Sequence, residues 1–582
     1  MAKLSHIILC GAASTSRVGK TDEIVRLNLD GEEPNVDLEI VDISRPLSNN
    51  VPDVLADLAE IASYVYCADQ AVTRGGEGVD AFGKNWRRRF SFHVPVRALH
   101  IWSLPEVAAC LEATLSFLSD DEYSFHFVER RNASPMQRYL KLIDDESVRS
   151  EIDEVLLFSG GLDSLAGAVQ EVVRDKKRVA LVSHRSNPKI SSRQVKLVDA
   201  LREFCSHNQP RHIPVWVHKR ESSSREYTQR SRSFLYASLA FVVARMLGLD
   251  RIRFYENGVV SLNLPISEQA VGARATRTTH PQTLSGFAKL FTLLIQRPFA
   301  VENPFLWHTR TEVVNLIGDA GCGELIGHSV SCVHTHEQTA DKPHCGRCSQ
   351  CVGRRFATLA SKYADKDPST IYKVDLLEGA READKDRTLV ESFIRTATDM
   401  THMSDLAIMD HYGEVSRVLR HISFLTSDQV AEKVVSRHKK HAGEVTRVMH
   451  NAIGTYAPEI LEGRLSPSCA IILSLPSTYK TVERRKSPKD PLVLESDSRQ
   501  RNAAASSRSQ YSDTDDKIFK LIGELKFRNL TNDSIQRQFL PRIRKLLNKR
   551  PSPDAVRACL NRIRRYWKLP MSDQISDNPV SE

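Results

Sequence analysis

Apolar positions are not spread evenly along the chain, and their spacing changes character several times. Short unbroken apolar runs at residues 7–10 and 38–43 predict strands, and 52–66 has the three-and-four spacing of an amphipathic helix. Residues 90–96, a helix after Pro105, and 123–128 continue a mixed α/β pattern up to a charged connector at 144–153. A clear alternation follows. Strands are predicted at 155–158, 179–183, 213–217 and 252–255, with helices through Val173, near 191–204 and over 231–247. Strands alternating with helices imply a parallel sheet covered on both faces.

From about 378 to 461 the pattern is helical and highly charged, with few turn signals. Residues 475–513 then lose apolar content, as a linker does, and three amphipathic segments near 515–527, 533–547 and 554–566 predict a small helical domain. The expected divisions are therefore 1–150, a mixed α/β region; 151–375, the parallel α/β region; 376–474, helical; 475–513, linker; and 514–570, basic and helical. No stretch approaches the roughly 18 to 20 apolar residues of a membrane helix. The best candidate, 466–479, is broken by Pro467 and Pro476, and residues 7–10 are too few for a signal-peptide core, so a cytoplasmic protein is expected.

Composition changes this picture in two places. The 582 residues exceed what one core usually holds, and 41% hydrophobic with 26% charged residues excludes a largely disordered chain. The net charge of +9 is local, because residues 514–570 carry 15 Lys and Arg against 5 Asp and Glu. Arg542, Arg544, Lys545, Arg562, Arg564 and Arg565 could meet nucleic-acid phosphates, or they could form a solvated face or a dock for an acidic protein.

Candidate chemistry centres on two segments. Ser159-Gly160-Gly161-Leu162-Asp163-Ser164 directly follows the predicted strand 155–158. Two glycines let backbone N–H groups turn inward at a helix start, Ser159 and Ser164 add hydroxyls, and Asp163 can orient the loop or hold Mg2+ on phosphates. The alternative is a plain strand–turn–helix junction. The second segment is Cys332-x12-Cys345-x2-Cys348-x2-Cys351. Its two C-x-x-C steps suit a closed, structural Zn2+ site, whereas the other cysteines are scattered like reduced thiols. His334, His336 and His344 lie in the same loop and read better as surface residues than as ligands. Ser14-x4-Gly19-Lys20-Thr21 nearly forms a Walker A loop, but serine replaces the first glycine. His438-x-x-His441 lacks the glutamate of a zinc protease and reads as a solvated helix face.

The segment 159–164 resembles the PP-loop of ATP pyrophosphatases, which cleave ATP to AMP and pyrophosphate to activate a substrate oxygen. Together with Ser331-Cys332 and Cys345-Gly346-x-Cys348-x2-Cys351-x2-Arg354, it resembles the QueC family of 7-cyano-7-deazaguanine synthases. Asn303-Pro304-Phe305, Thr311-Glu312-Val313-Val314 and Arg232 also match, over about residues 151–360. Ser233 departs from the family's asparagine, and its Asp-Cys-Arg substrate motif is missing. In its place stand Arg274, Arg277, Thr278, Thr279 and His280, a set able to bind a carboxylate or purine edge, or else a solvated basic loop.

The resemblance implies a PP-loop α/β fold, ATP with Mg2+, and Zn2+ on Cys332, Cys345, Cys348 and Cys351. It further implies catalytic roles for Asp163, Ser164 and Arg232, an ATP cradle at Ser159, Gly160, Gly161, Leu162, Asp163 and Ser164, and His184 near the adenine. The extra length resembles QueC-like proteins of the Qat and type IV CBASS antiphage systems, implying ligation of a deazaguanine carboxylate to a protein N-terminus. A free nitrile synthase, a tRNA-modifying enzyme and an inactive scaffold are the other readings.

Overall fold

In the computed structural model the described residues are 5–15, 22–30, 33–44, 52–74, 87–130, 140–143, 152–185, 188–205, 208–220, 230–264 and 277–476, with a few positions beyond. Among the described residues eleven strands form two sheets: β1 (His6–Cys10), β2 (Glu23–Leu27), β3 (Val36–Ser44), β4 (Arg89–Val96), β5 (Glu122–Glu129), β6 (Leu140–Ile143), β7 (Glu154–Leu157), β8 (Val179–Arg185), β9 (Arg211–Lys219), β10 (Arg251–Arg253) and β11 (Ala300–Glu302). The helices used below are α1 (Asp53–Ala71), α2 (Pro105–Ser119), α3 (Leu162–Ala168), α4 (Pro188–Arg202), α5 (Arg232–Met246), α6 (Pro281–Ile295), α7 (Arg310–Asp319), α8 (Ser349–Ala360), α9 (Asp384–His402) and α10 (Ser427–Thr455).

The smaller sheet runs β2-β1-β4-β5, with every pair parallel. The larger runs β11-β10-β7-β8-β9-β3-β6 and is parallel except between β3 and β9. Its central strands are mostly apolar and buried, β7 as Glu-Val-Leu-Leu with Glu154 tied to Arg251 and β8 buried through His184. This is the composition expected where helices cover both faces. β3 and β6 come from the first 150 residues, so that region and 151–375 share one sheet. They also share one core: Ile40, Leu58, Val65, Val155, Val182, Phe241 and Phe291 belong to the same buried cluster.

Two helices explain that shared core. α1 is buried at every residue but its first, and α5 is buried from Ser233 to Ala244. Helices apolar around most of their circumference belong in an interior, not on a surface. The acidic groups that α1 carries inside are paired. Asp69 on α1 meets Arg88 at 2.5 Å and accepts from both the backbone N–H and hydroxyl of Ser231. Asp121 accepts from Arg74 and Arg88.

A second cluster joins α9, α10 and short helices to the end of α8 through Val352, Phe356, Val390, Val434 and Val445. It corrects the reading of His438-x-x-His441 as a solvated face. His438 is 3% exposed and its Nδ1 meets the Val434 carbonyl at 2.7 Å; His441 packs edge-on to Phe393. The cause is that α10 turns this polar stripe toward α7 and α9. Burial holds both imidazoles well below their usual pKa, so both are neutral.

Residues 486–582 form a separate compact unit. Within it Ile518, Ile535, Val556, Leu560 and Ile563 are buried helical positions, while the named basic residues, and all of the expected linker 475–513 but its first two residues, lie outside the described residues. So do Gly19, Lys20 and Thr21. Among the described residues no helix is long and apolar enough to cross a membrane.

Candidate functional site

The chain order makes a crevice. From β7 it proceeds outward to β8 and β9, then returns to β10 and β11 on the other side of β7. In open parallel sheets, such a reversal separates the loops at the strand C-termini and leaves a ligand position between them. The 159–164 loop leaves β7 on one side of it, and Glu256-Asn257 leave β10 on the other.

Gly160 adopts φ +82, a conformation that favours glycine, and turns the loop back over β7. Ser159 Oγ lies 3.1 Å from Ser164 Oγ and accepts the Gly161 N–H at 3.3 Å. The next amide, Leu162 N–H, donates to Ser331 Oγ at 3.3 Å, and Val330 N–H donates to the Gly160 carbonyl at 3.0 Å. Gln194 on α4 fixes the loop from outside, donating to the Ser159 carbonyl.

Asp163 is 8% exposed and spans the crevice. Its Oδ1 accepts from the Asn257 side chain at 2.8 Å and backbone at 3.1 Å, while Oδ2 accepts from Arg310 at 3.0 Å. Arg310 also donates to Gln350, which stands between Cys348 and Cys351. Both carboxylate oxygens therefore have protein partners. This donor set fits an orienting role for Asp163, and Oδ2, which accepts one bond, keeps a further lone pair.

Glu256 accepts from Thr279 Oγ1 at 2.9 Å, and its backbone is clamped by both ends of the Asn303 amide. Burial, and then the charge of Asp163, push the Glu256 carboxyl up to about 7. A carboxyl that changes charge near neutrality at a sheet edge is suited to proton transfer.

The predicted substrate segment divides. Thr279 is buried against Glu256 and Ser261. His280 is buried too, capping α6 by accepting the Gln282 N–H, so these two are not part of a solvated loop. Arg277 turns away to the Phe117 carbonyl on α2, its guanidinium 4.7 Å from the Phe117 ring. Thr278 is half-buried, and Arg274 lies outside the described residues. His184 and Arg232 come together around Tyr236: His184 packs edge-on at 5.7 Å and Arg232 donates to the Tyr236 hydroxyl at 3.2 Å. His184 Nε2 meets the Val217 carbonyl at 2.9 Å, and burial lowers its pKa to about 3, so the ring is a neutral donor there.

The four cysteines do come together. Cys332, Cys345, Cys348 and Cys351 are all buried, with their sulfurs within 4.8 Å of one another, a group that can hold a metal ion such as zinc. Cys345 and Cys351 sulfurs are 3.8 Å apart. Tetrahedral Zn–S bonds of about 2.3 Å place sulfurs about 3.8 Å apart, so the spacing fits. The N–H groups of Arg347 and Cys348 point at Cys345 Sγ. Gly346 makes that turn at φ +75, where a Cβ would fall 1.8 Å from the Val374 carbonyl oxygen. His336 is exposed and His334 half-buried, but His344 is fully buried, stacked 4.8 Å from Tyr372. Arg354, also fully buried, ties α8 to Asp367, Ser329 and Ile326.

Sequence reasoning gave no role to Asn257, Glu256, Gln350 or Arg310. Asn257 had a signal, the turn after the fourth predicted strand. Arg310 had none, since a single arginine at a helix start is common. No protein-family model matches the chain, and a comparison with curated proteins finds no match. The architecture stands on its own terms: parallel α/β sheets with a buried four-cysteine cluster laced to a glycine-rich loop.

Proposed function

We propose that the protein is an adenylate-forming ligase of the PP-loop type, related in chemistry to the QueC family, with zinc in its four-cysteine site. ATP would sit at the β7/β10 crevice. One observation carries this reading: Ser159 Oγ and Ser331 Oγ accept the Gly161 and Leu162 amides, so two hydroxyl oxygens stand where pyrophosphate oxygens would be received.

The substrate proposed is a 7-carboxy-7-deazaguanine-type acid. Its carboxylate oxygen attacks the α-phosphorus of ATP, pyrophosphate leaves, and an acyl adenylate remains. An uncharged amine then attacks the carbonyl carbon, AMP departs with the C–O bond electrons, and the nitrogen loses a proton. In this reading Glu256 takes that proton. A protein α-amino group, with pKa about 8, is a better nucleophile at neutral pH than lysine at about 10.4. The acceptor favoured is therefore a protein N-terminus, in a cytoplasmic, bacterial antiphage setting.

The test is mass spectrometry of a co-expressed neighbouring protein. It should gain the acyl deazaguanine only with ATP and intact Asp163. Release of free nitrile from acid and ammonia, with no protein gaining mass, would identify a plain synthase instead.

A further inference from the structure

Away from the crevice, α10 carries a buried cation that no described carboxylate pairs with. Arg437 is 4% exposed, and among the described residues no carboxylate lies within ion-pair distance of it. Its Nη1 donates to the Leu306 carbonyl, and its Nε has no partner. Nη2 lies 3.1 Å from His438 Nδ1, but that nitrogen sits 2.7 Å from the Val434 carbonyl. In the neutral ring Nδ1–H donates to Val434 and has no lone pair left for Arg437. Burial pulls the guanidinium down to about 9. Leaving a buried charge without a counter-ion is costly, and proteins seldom keep one without a use for it.

Arg437 lies at the wall of an open surface groove of about 480 Å³. Its walls are Trp307, Leu425, Gln429, Lys433 and Lys440 with Glu312 and Glu432. Lys433 Nζ lies 5.5 Å, and Arg437 Cζ 5.8 Å, from the centre of the Trp307 ring. Lys440 is already paired with Glu312. Three cations stand against two carboxylates, an excess of one positive charge.

We propose that this groove binds an organic monocarboxylate with an apolar or aromatic body. The carboxylate would meet the Lys433 ammonium in front of the buried Arg437 guanidinium, whose charge it would balance, and the body would lie on Trp307 and Leu425. One negative charge balances the site, whereas a phosphate dianion would overshoot it. The groove is also wired to the crevice. Gly258 follows the Asn257 that holds Asp163, and a Cβ there would fall 1.7 Å from the Leu306 oxygen and 2.3 Å from Arg437 Nη1.

Calorimetric titration of the full chain with p-toluate, p-toluamide and inorganic phosphate tests this. Saturable p-toluate binding is expected, with the amide about tenfold weaker or undetectable, as loss of a charge-assisted pair predicts. Lys433→Glu changes an exposed side chain, should leave the fold intact, and should abolish the binding; Trp307→Phe should weaken it. No saturable p-toluate binding, equal binding of acid and amide, tighter binding of phosphate, or p-toluate binding that survives Lys433→Glu would each overturn the proposal.

Discussion

Leu162 donates its backbone N–H to the hydroxyl of Ser331 at 3.3 Å, joining residues 169 positions apart in the chain. Ser331 immediately precedes the first cysteine of the four-cysteine cluster, and its neighbour Val330 bonds Gly160. The cluster thus holds one wall of the 159–164 loop, and Gln350 reaches the same loop through Arg310 and Asp163.

That contact predicts coupling between metal and loop. Stripping the metal with a chelator should raise amide hydrogen exchange in 159–164 before the central strands β7 and β8 lose protection. Exchange that rises only with global unfolding would show that the loop does not depend on the cluster.

Cys348→Ser should lose the metal and most soluble protein, because binding free energy at such a site is folding free energy. Gly346→Ala should do nearly the same, since its Cβ meets backbone 1.8 Å away. Elemental analysis of the wild-type protein should give about one zinc per chain.

Asp163→Asn keeps the shape that accepts from Asn257 but removes the charge facing Arg310. Breaking a buried ion pair on one side costs about 3–5 kcal/mol. Denaturant unfolding should place Arg310→Met near that range and Asp163→Asn below it, while both abolish AMP formation from ATP. AMP release at the wild-type rate in folded Asp163→Asn would remove Asp163 from the proposed chemistry.

Glu256 gives a pH prediction with a defined sign. Its carboxyl titrates near 7 when folded, above its unfolded value, so its contribution to stability is full at acid pH and is lost as pH rises toward and through 7. Glu256→Gln should flatten the stability profile between pH 5 and 8, gaining about 1–3 kcal/mol relative to wild type at the alkaline end. An unchanged slope would mean that another group titrates there.

Much of this was legible from residue order, and the reasons it stopped are physical. Apolar runs located β7, β8 and β9 within a few residues, because a strand buried on both faces leaves few polar positions. The cysteine spacing located the four-cysteine cluster, because short C-x-x-C steps bring sulfurs close together. Strand order was not legible: nothing in the pattern shows that β3 and β6 extend the larger sheet. Helix α6 was missed because it opens on Pro281 directly after a polar segment. His438 was misread because a charged stripe looks the same in sequence whether water or another helix covers it. Arg310 and Asp163 lie 147 residues apart, and only the fold brings them within 3.0 Å.

α10 is 29 residues long, about 43 Å of continuous helix, and it begins well after the region resembling a PP-loop enzyme ends. Yet Thr309 donates to Glu444, Glu312 pairs with Lys440, and Leu306 accepts from Arg437, all on this one rod. A fragment cut after residue 375 would bare Val352 and Phe356 to water and strip those partners from the start of α7. The smallest piece able to fold around the crevice therefore reaches to about residue 474. A cut made anywhere before Thr455 would take away part of the rod that braces the start of α7, the helix that carries Arg310 to Asp163.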